Sequence, residues 1–243
     1  MLCYHAVSPR FPAALSVTPD RFRAQLRRLA DRGFVGATFA AAARGEAPGR
    51  RIVAVTFDDA YRSVLALGRP ILDELGWPAT VFAPTDHVGS ERPMRWPGIE
   101  QWHGGPHEDE LVPMSWDELR ELAGAGWEIG SHTCSHPRLT EVSDERLADE
   151  LERSRAIVAD RVGRPCDTLA YPYGDVDERV EAAAGRAGYA LAATLPKRLA
   201  RPRSTAWPRV GIYHGDDARR FALKVSPIVR RIRSTRLWEN AIR

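Results

Sequence analysis

Short apolar runs alternate with longer amphipathic segments along most of this 243-residue sequence. The runs have the length of buried strands, and the segments between them repeat their apolar residues with the period of a helix. Such alternation is typical of an α/β domain with parallel strands. Seven runs qualify as strands, a number that suits a barrel, and they cover residues 2–5, 52–57, 79–83, 127–130, 168–171, 190–193 and 210–213.

The segments between the runs carry helix start signals. Thr18 is placed to cap a helix that has Pro19 at its first position, and Ser115 and Glu118 have the spacing of a capping box. Further helices are predicted at 143–162 and 176–187. In parallel barrels the catalytic groups lie where strands end, so we expect the site in the loops that follow the strands.

Two segments depart from the alternation. Residues 84–114 hold three histidines and two tryptophans in a long loop, and long loops in compact domains are often functional. Residues 219–243 hold eight Lys or Arg and one Glu, interleaved with apolar residues. That basic amphipathic tail predicts a helix packed on the domain, or else a helix for a membrane surface or a partner. Packing is favoured over membrane contact because Pro227 interrupts the amphipathic pattern.

Composition excludes several classes of protein. A net charge of +3, without an RNA-binding motif, argues against a nucleic-acid partner. The sequence as written shows neither a signal peptide nor an apolar run of membrane-spanning length, which predicts a cytoplasmic protein. Its three cysteines are odd in number and far apart, and this pattern suits a reducing compartment. The even spread of apolar residues predicts a single domain.

Two adjacent acids, Asp58 and Asp59, follow the apolar run in "AVTFDDAY". One interpretation makes Asp59 the cap of a helix through "YRSVLALGRPILDELG". However, two like charges held close together repel each other unless a cation binds one of them. The pair therefore indicates a metal site.

The stretch "GSHTCSH" places His132 and His136 four residues apart, directly after a predicted strand. If the chain turns helically there, both imidazoles face one side and can bind one cation. Asp58 or Asp59 could supply a third ligand and leave positions open for water and substrate. The alternative is ordinary hydrogen bonding in a polar turn. Cys134 points away from the shared face and is interpreted as a small buried residue.

A third stretch, "LAYPYGDVD", runs from a predicted strand into a proline-containing turn. Backbone N–H groups released from the strand ladder in such a turn can face a developing oxyanion. Tyr-Pro-Tyr-Gly is also ordinary turn chemistry, so this stretch alone does not decide between the two.

Taken in order, "TFDDAY", "SHTCSH" and "YPYG" resemble the motifs of the polysaccharide deacetylases, the NodB-type carbohydrate esterase family 4. The resemblance covers roughly residues 1–215, which divides the chain into a barrel domain at 1–218 and the tail at 219–243. It implies a distorted (β/α) barrel of about seven strands. It also implies a metal-dependent hydrolase that removes N-acetyl groups from an amino-sugar glycan or glycan precursor.

The resemblance assigns roles to the motif residues. Asp58 matches the catalytic base, and Tyr173 matches the residue whose N–H binds the oxyanion. Asp59, His132 and His136 match the metal ligands. Zinc is the metal expected for two histidines and an aspartate, and cobalt, nickel or iron would fit the same set.

Two positions depart from the family pattern. Ala170 stands where an arginine usually braces the catalytic aspartate, and Arg209 in "WPRVGIY" is the substitute that we group with the substrate-contacting residues. The family's late histidine acid has a match in His214. "LCYHAV" nevertheless resembles the start of a circularly permuted subgroup, in which His5 is the acid. His5 is favoured because a histidine leaving a barrel strand projects into the site, and a buried histidine without catalytic function is the alternative.

The long loop supplies the remaining candidates. Trp96 and Trp102 could stack on sugar rings, or they could only anchor the loop. His103 and His107 repeat the four-residue spacing, but Gly-Gly-Pro between them precludes a helical turn and argues against a second metal site. The expected partner is an N-acetylated carbohydrate. Two other functions stay open, an amidohydrolase acting on a non-sugar amide and a catalytically silent glycan-binding module.

Overall fold

Parallel strands form the centre of the molecule. The computed structural model describes residues 1–46, 49–196, 198–199 and 201–235. Its strands are β1 Leu2–Tyr4, β2 Ala6–Val7, β3 Ser16–Val17, β4 Phe34–Ala37, β5 Arg51–Phe57, β6 Thr80–Ala83, β7 Glu128–Ser131, β8 Thr168–Ala170, β9 Leu191–Thr194, β10 Trp207–Pro208 and β11 Val210–Gly211. Its α-helices are α1 Pro19–Ala30, α2 Phe39–Arg44, α3 Arg69–Asp73, α4 Trp116–Gly124, α5 Asp144–Val162, α6 Glu178–Arg186, α7 Ala218–Lys224 and α8 Pro227–Arg233.

The strands form a nearly closed barrel surrounded by helices, which confirms the predicted fold class. Within the described residues, a nine-stranded sheet runs in the order β10-β9-β8-β7-β6-β5-β1-β11, with β4 paired to β5. All seven predicted runs contain a strand. The sequence patterns missed β2, β3, β4 and β10, of which three are two residues long. Strands that short hold too few residues to show a period.

One short segment joins the two edges of the sheet and closes the barrel. β10 pairs with β9, and β11 pairs with β1, so residues 207–211 span the gap between those strands. Arg209 lies between the two pairings. The closure of the barrel therefore places this side chain in the interior.

Parallel register brings the predicted site residues to one end of the barrel. Tyr4 pairs with Phe57, and the N–H of Asp58 donates to the Tyr4 carbonyl at 3.0 Å. His5 and Asp58 therefore lie side by side as their strands end. On the next strands Ala83 pairs with Ser131, the residue before the first histidine of "SHTCSH".

Alternate residues of each strand face opposite sides of the barrel wall, as the pleat requires. One set packs against the helices in the main core, for example Val55, Val81 and Leu169. The other set faces inward, where Phe82 and Ala170 belong to a separate small cluster. The interior also holds polar groups. At its lower end Glu128 accepts hydrogen bonds from Thr80 and Thr168.

The predicted helix starts are confirmed where the caps were recognised. The Thr18 hydroxyl accepts a hydrogen bond from the third residue of α1, and Ser115 with Glu118 forms a complete capping box at α4. After the paired acids the structure differs from the prediction. A π-helical turn at Val64–Gly68, with Ser63 in the cap position, precedes the short α3, so Asp59 caps no helix there.

The C-terminal tail is described as far as residue 235, and the predicted tail residues 236–243 lie outside the described part. Within α7, Phe221 is buried in the main core. Pro227 opens a second helix, α8, at the point where the amphipathic pattern was expected to break. None of the helices in the described ranges combines the length and the apolarity that a membrane-spanning helix needs.

The glycine of β7 provides a test of this packing. A Cβ at Gly130 would lie 2.6 Å from the Thr168 hydroxyl and 2.7 Å from the Phe82 ring. We expect Gly130→Ala to lower the free energy of unfolding by about 1–3 kcal/mol, because the closed barrel leaves no room for the methyl group. Gly185→Ala on α6, where a Cβ meets nothing within 4 Å, is the matched control and should raise stability by about 0.5–1 kcal/mol. Urea unfolding measures both, and equal effects would contradict the packing described.

Candidate active site

The three sequence motifs meet at the carboxyl end of the barrel. Each follows a different strand: the acids follow β5, the histidine pair follows β7, and the "YPYG" turn follows β8. The buried groups collected there are His5, Asp58, Asp59, His132, His136 and Arg209. The loops after parallel strands therefore bring the predicted site residues together.

Asp59, His132 and His136 have donor atoms that converge on one point. The Oδ1 atom of Asp59 lies 3.4 Å from the Nε2 atom of each histidine. Three ligands placed tetrahedrally about 2.0–2.1 Å from a zinc ion would be separated by about 3.4 Å. Asp59 Oδ1 is buried and has no hydrogen-bond partner among the described residues. An orphaned carboxylate oxygen at this spacing fits a divalent cation.

The orientation of the first histidine supports that fit. The Nδ1 atom of His132 lies 2.7 Å from the carbonyl oxygen of Ala170, which can only accept. The ring therefore donates through Nδ1 and leaves Nε2 free to bind a cation, as metal-binding histidines commonly do. Burial would raise the pKa of Asp59, but the facing imidazoles hold it well below its ordinary value. The acid is thus ionised at neutral pH.

Asp58 has a different partner, the guanidinium of Arg209. Two nitrogens of Arg209 donate to the two carboxylate oxygens of Asp58 at 2.6 and 2.7 Å, the bidentate geometry that favours such pairs. Burial alone would raise the pKa of Asp58, but Arg209 and His132 oppose it and lower the pKa to about 2. The structure thus places Arg209 as a brace for Asp58. Its side chain is wholly buried, and its grouping with the substrate contacts stays a prediction.

Cys3 makes a third contact to Asp58 that the sequence interpretation missed. Its thiol lies 3.4 Å from the Oδ2 atom of Asp58. Burial raises the pKa of this thiol well above its ordinary value, so it stays protonated and donates. The signal was available, since strand alternation places Cys3 on the inner face of β1, paired with Thr56 of β5.

His5 lies beside Asp58, whereas His214 does not join this group. Donor atoms of Cys3, His5 and Asp58 all lie within 4.8 Å of one another. The Nδ1 atom of His5 is buried without a hydrogen-bond partner in the described part of the chain. Burial lowers the pKa of His5, and Asp59 and Asp58 act in the opposite direction. The contacts that the structure gives His214 are backbone hydrogen bonds to Ala14 and from Arg21.

Tyr173 faces the metal-ligand candidates across the mouth of the site. Its ring meets His136 edge-on at 4.7 Å between centroids, and its hydroxyl donates to the Pro97 carbonyl at 3.1 Å. The backbone at Tyr173 has a positive φ of 59°. The guanidinium of Arg138 covers the outer side of the ring at 4.2 Å.

The three motifs carry strained backbone. Within the described residues, the non-glycine residues with positive φ are Asp59, Ala60, Thr133, His136 and Tyr173. The left-handed region is unfavourable for residues with a Cβ and persists where the surrounding structure enforces it. Three of these five residues were already site candidates from the sequence.

The two loop tryptophans contact protein rather than open space. Trp96 is buried and stacks on His136, with 4.2 Å between ring centroids. Trp102 packs edge-on against Phe11 at 5.1 Å. Both contacts correspond to the alternative in which the rings anchor the loop. Trp96 also fixes the position of His136.

The second histidine pair of the loop does not converge on a cation. The Nδ1 atom of His103 lies 3.4 Å from Glu108, and the ring of His107 faces Phe11 and Trp102. Neither histidine belongs to a metal-competent group within the described residues.

Glu150 is a buried acid that lies outside all three motifs and holds the "SHTCSH" turn. Its carboxylate accepts hydrogen bonds from the N–H groups of Cys134 and Ser135 at 2.8 and 2.9 Å, and from the Ser135 hydroxyl at 2.6 Å. Burial would raise the pKa of Glu150, but hydrogen bonds from Ser135 and Arg146 leave it below its ordinary value. A sequence signal exists, because Glu150 interrupts the apolar stripe that Leu147, Leu151 and Val158 form on α5.

Comparisons with known proteins identify similar sequences. The family model described as "Polysaccharide deacetylase" matches residues 45–192, more than half of the chain. The chain is 25% identical over 198 residues to YxkH of Bacillus subtilis (strain 168), covering 80% of this chain and 63% of that protein. It is 26% identical over 190 residues to the poly-beta-1,6-N-acetyl-D-glucosamine N-deacetylase of Staphylococcus aureus (strain N315), covering 74% and 60% respectively. The chain thus spans about three fifths of the length of these relatives.

Solved structures share the fold. The Streptococcus pyogenes deacetylase PplD, solved in complex with acetate, superposes with a TM-score of 0.75 at 22% identity, covering 93% of this chain and 97% of that one. IcaB from Ammonifex degensii superposes with a TM-score of 0.74 at 24% identity, covering 96% of both chains. At these identities the likeness establishes the fold alone.

Removing Glu150 tests its support of the histidine turn. We expect Glu150→Ala to lower the free energy of unfolding by about 2–4 kcal/mol, because two buried N–H groups lose their acceptor. We also expect zinc affinity to fall by about 10–100-fold, the usual effect of losing a group that orients ligands. Urea unfolding and competitive zinc titration measure the two effects. Glu152→Ala, on the exposed side of α5, is the control. If Glu150→Ala changed stability and zinc affinity no more than this control does, the turn would not depend on Glu150.

Proposed function

The chain belongs to the polysaccharide deacetylase family, and on that premise we propose that it hydrolyses N-acetyl groups from an amino-sugar glycan or glycan precursor. One observation carries the proposal. A three-donor cluster of Asp59, His132 and His136 lies beside a carboxylate, Asp58, that a buried arginine pairs with and orients. This arrangement supports a metal site beside a separate base.

The donor set supports a divalent metal as cofactor. Two imidazoles and one carboxylate suit zinc, and cobalt, nickel or iron(II) fit the same ligands. When bound, such an ion polarises a carbonyl oxygen and lowers the pKa of bound water. The Asp59 carboxylate and the two Nε2 atoms would hold it.

Asp58 accepts the proton of the attacking water in this proposal. Arg209 holds both carboxylate oxygens, and Cys3 donates to one of them, so the carboxylate keeps one orientation throughout the reaction. A positioned base of this kind contributes about 10²–10⁴-fold to a hydrolytic rate. The low pKa that Arg209 imposes keeps Asp58 ionised at neutral pH, the protonation state that a base requires.

Tyr173 and His5 complete the proposed reaction. The N–H of Tyr173 donates to the oxyanion that forms on the acetyl carbonyl, a contribution of about 10²–10³-fold for a single donor. His5 gives a proton to the departing amine as the carbon–nitrogen bond breaks. The products are acetate and the free amino sugar.

The substrate class rests on the relatives. A relative named poly-beta-1,6-N-acetyl-D-glucosamine N-deacetylase supports an N-acetylated hexosamine polymer or oligomer as the substrate of this chain. Acetate release from β-1,6- and β-1,4-linked N-acetylglucosamine oligomers, measured with metal-stripped protein and added zinc, tests the proposal. Release from small amides alone would favour an amidohydrolase. Glycan binding without acetate release would indicate a silent binding module.

Substitutions of Asp58 and of Asp59 should impair acetate release in different ways. We expect Asp58→Asn to lower acetate release by about 10²–10⁴-fold with zinc still bound, because the base is lost and the ligands remain. Asp59→Ala should lose zinc as well as activity, since two imidazoles alone bind it weakly. Zinc content by mass spectrometry and acetate release by enzymatic assay separate the two outcomes. Asp160→Asn, an exposed acid on α5, is the control. Normal turnover by Asp58→Asn would assign the base to another group.

The two candidate acids can be distinguished in the same assay. We expect His5→Ala to lower kcat by about 10²-fold or more at unchanged zinc content, because the amine then leaves unprotonated. His214→Ala should stay within about twofold of the unmodified protein, since it lies outside the buried group. A stronger effect from His214→Ala than from His5→Ala would reverse the assignment.

A further inference from the structure

The last two helices expose apolar side chains that the rest of the described chain keeps covered. Among the described residues, the exposed large hydrophobic side chains are Leu223, Ile228 and Ile232, with 58%, 73% and 49% of their surface accessible. Leu223 lies on α7, and Ile228 and Ile232 lie one turn apart on the same side of α8. Single exposed aliphatics are ordinary, but three on one short segment indicate a contact surface.

The same segment is strongly basic. Residues 218–233 contain six Lys or Arg and no acid: Arg219, Arg220, Lys224, Arg230, Arg231 and Arg233. Lys224 pairs with Asp216 at 2.5 Å, so part of this charge is neutralised within the protein. Arg219, Arg230 and Arg231 are exposed. We call α7, α8 and their exposed side chains the basic face.

The basic face is fixed to the barrel. Phe221 is buried in the main core, and the ammonium group of Lys224 donates to the Gly211 carbonyl at 2.8 Å. The N–H of Leu199 donates to the carbonyl of Arg233 at 3.1 Å. The exposed aliphatics are therefore presented in a defined position.

A cleft separates the basic face from the loops after β9 and β11. It has a volume of about 830 Å³ and is lined by Leu195, Tyr213 and Leu223 among others. Leu195 packs against the turn that carries Tyr173, since a Cβ at Gly174 would lie 2.7 Å from its side chain. The cleft adjoins loops at the carboxyl end of the barrel, whereas Arg230 of α8 lies beside Met1 and Ile52 at the amino ends of the strands.

We propose that the basic face docks onto the surface of an anionic phospholipid bilayer. Peripheral membrane binding requires two signals, cations that attract lipid headgroups and aliphatic side chains that enter the headgroup boundary. The basic face carries both. A second copy of the chain is a poorer occupant, because a symmetric contact brings the two basic faces together. A nucleic acid would match the cations but leave the three aliphatics in water.

The proposal does not depend on the reaction assigned above, because vesicle binding and acetate release are measured separately. It favours the membrane-surface alternative for the tail over the packed helix that the sequence favoured. α7 does pack through Phe221, and its other side remains exposed.

Vesicle co-sedimentation with the full chain tests the proposal. We expect binding to vesicles of 70% phosphatidylcholine and 30% phosphatidylglycerol, weaker binding at 0.5 M salt, and little binding to pure phosphatidylcholine. Arg230→Gln with Arg231→Gln should lower the partition coefficient by about tenfold or more. Ile228→Ser with Ile232→Ser should do so to a similar degree, because the apolar signal is lost.

Matched controls separate docking from general charge effects. Arg164→Gln with Arg186→Gln removes two exposed cations from other parts of the surface and should leave binding unchanged. Circular dichroism establishes that each variant is folded. An absence of binding to anionic vesicles, equal binding to neutral ones, or an equal loss in the control pair would overturn the proposal. Dimers that the isoleucine variants dissociate would instead assign the face to a second copy.

Discussion

The buried pair of Asp58 and Arg209 is the interaction on which the architecture of the site depends. A wholly buried guanidinium is costly unless every charge is matched, and here both carboxylate oxygens, the Thr56 hydroxyl and the Thr194 carbonyl contact it. Arg209 also sits between the two short strands that join β9 to β1. The residue that braces the proposed base therefore belongs to the segment that closes the barrel. Removing one partner of such a pair typically costs about 3–5 kcal/mol, so the charge distribution of the site and the stability of the fold are linked.

The electrostatic puzzle of two adjacent acids is resolved by their different surroundings. Asp58 directly follows β5, where its N–H bonds to Tyr4 and its carboxylate meets the arginine, whereas the chain turns into the left-handed region at Asp59, with φ of 70°. That turn directs the second carboxylate toward the two imidazoles. Each acid thus has its own partner, the Arg209 guanidinium for Asp58 and the histidine pair, with the cation that we propose it binds, for Asp59. Two carboxylates can both stay ionised under these conditions.

Local patterns in the sequence predicted most of the fold, but they did not predict which residues far apart in the chain pair with each other. Seven strand regions and the capped helices followed from period and cap residues, while β2, β3 and β10 were too short to show a period. The partnership of Asp58 with Arg209 joins residues 151 positions apart, and only the closure of the barrel brings them together. Cys3 and Glu150 had weaker signals, an inward strand position and a charge on an apolar helix face. Such signals have a physical meaning only once the neighbouring element is known.

The strained turns explain why the groups that support the site lie outside the motifs. Each of the three motifs contains at least one non-glycine residue in the left-handed region, a conformation that costs about 1 kcal/mol or more per residue. The turn after β7 contains two such residues, Thr133 and His136. Two backbone N–H groups of this turn donate hydrogen bonds to the Glu150 carboxylate. Trp96 then covers His136 from the loop side. Contacts from α5 and from the long loop thereby offset the backbone strain of the motif turns. The same contacts hold the imidazoles in position before a ligand binds.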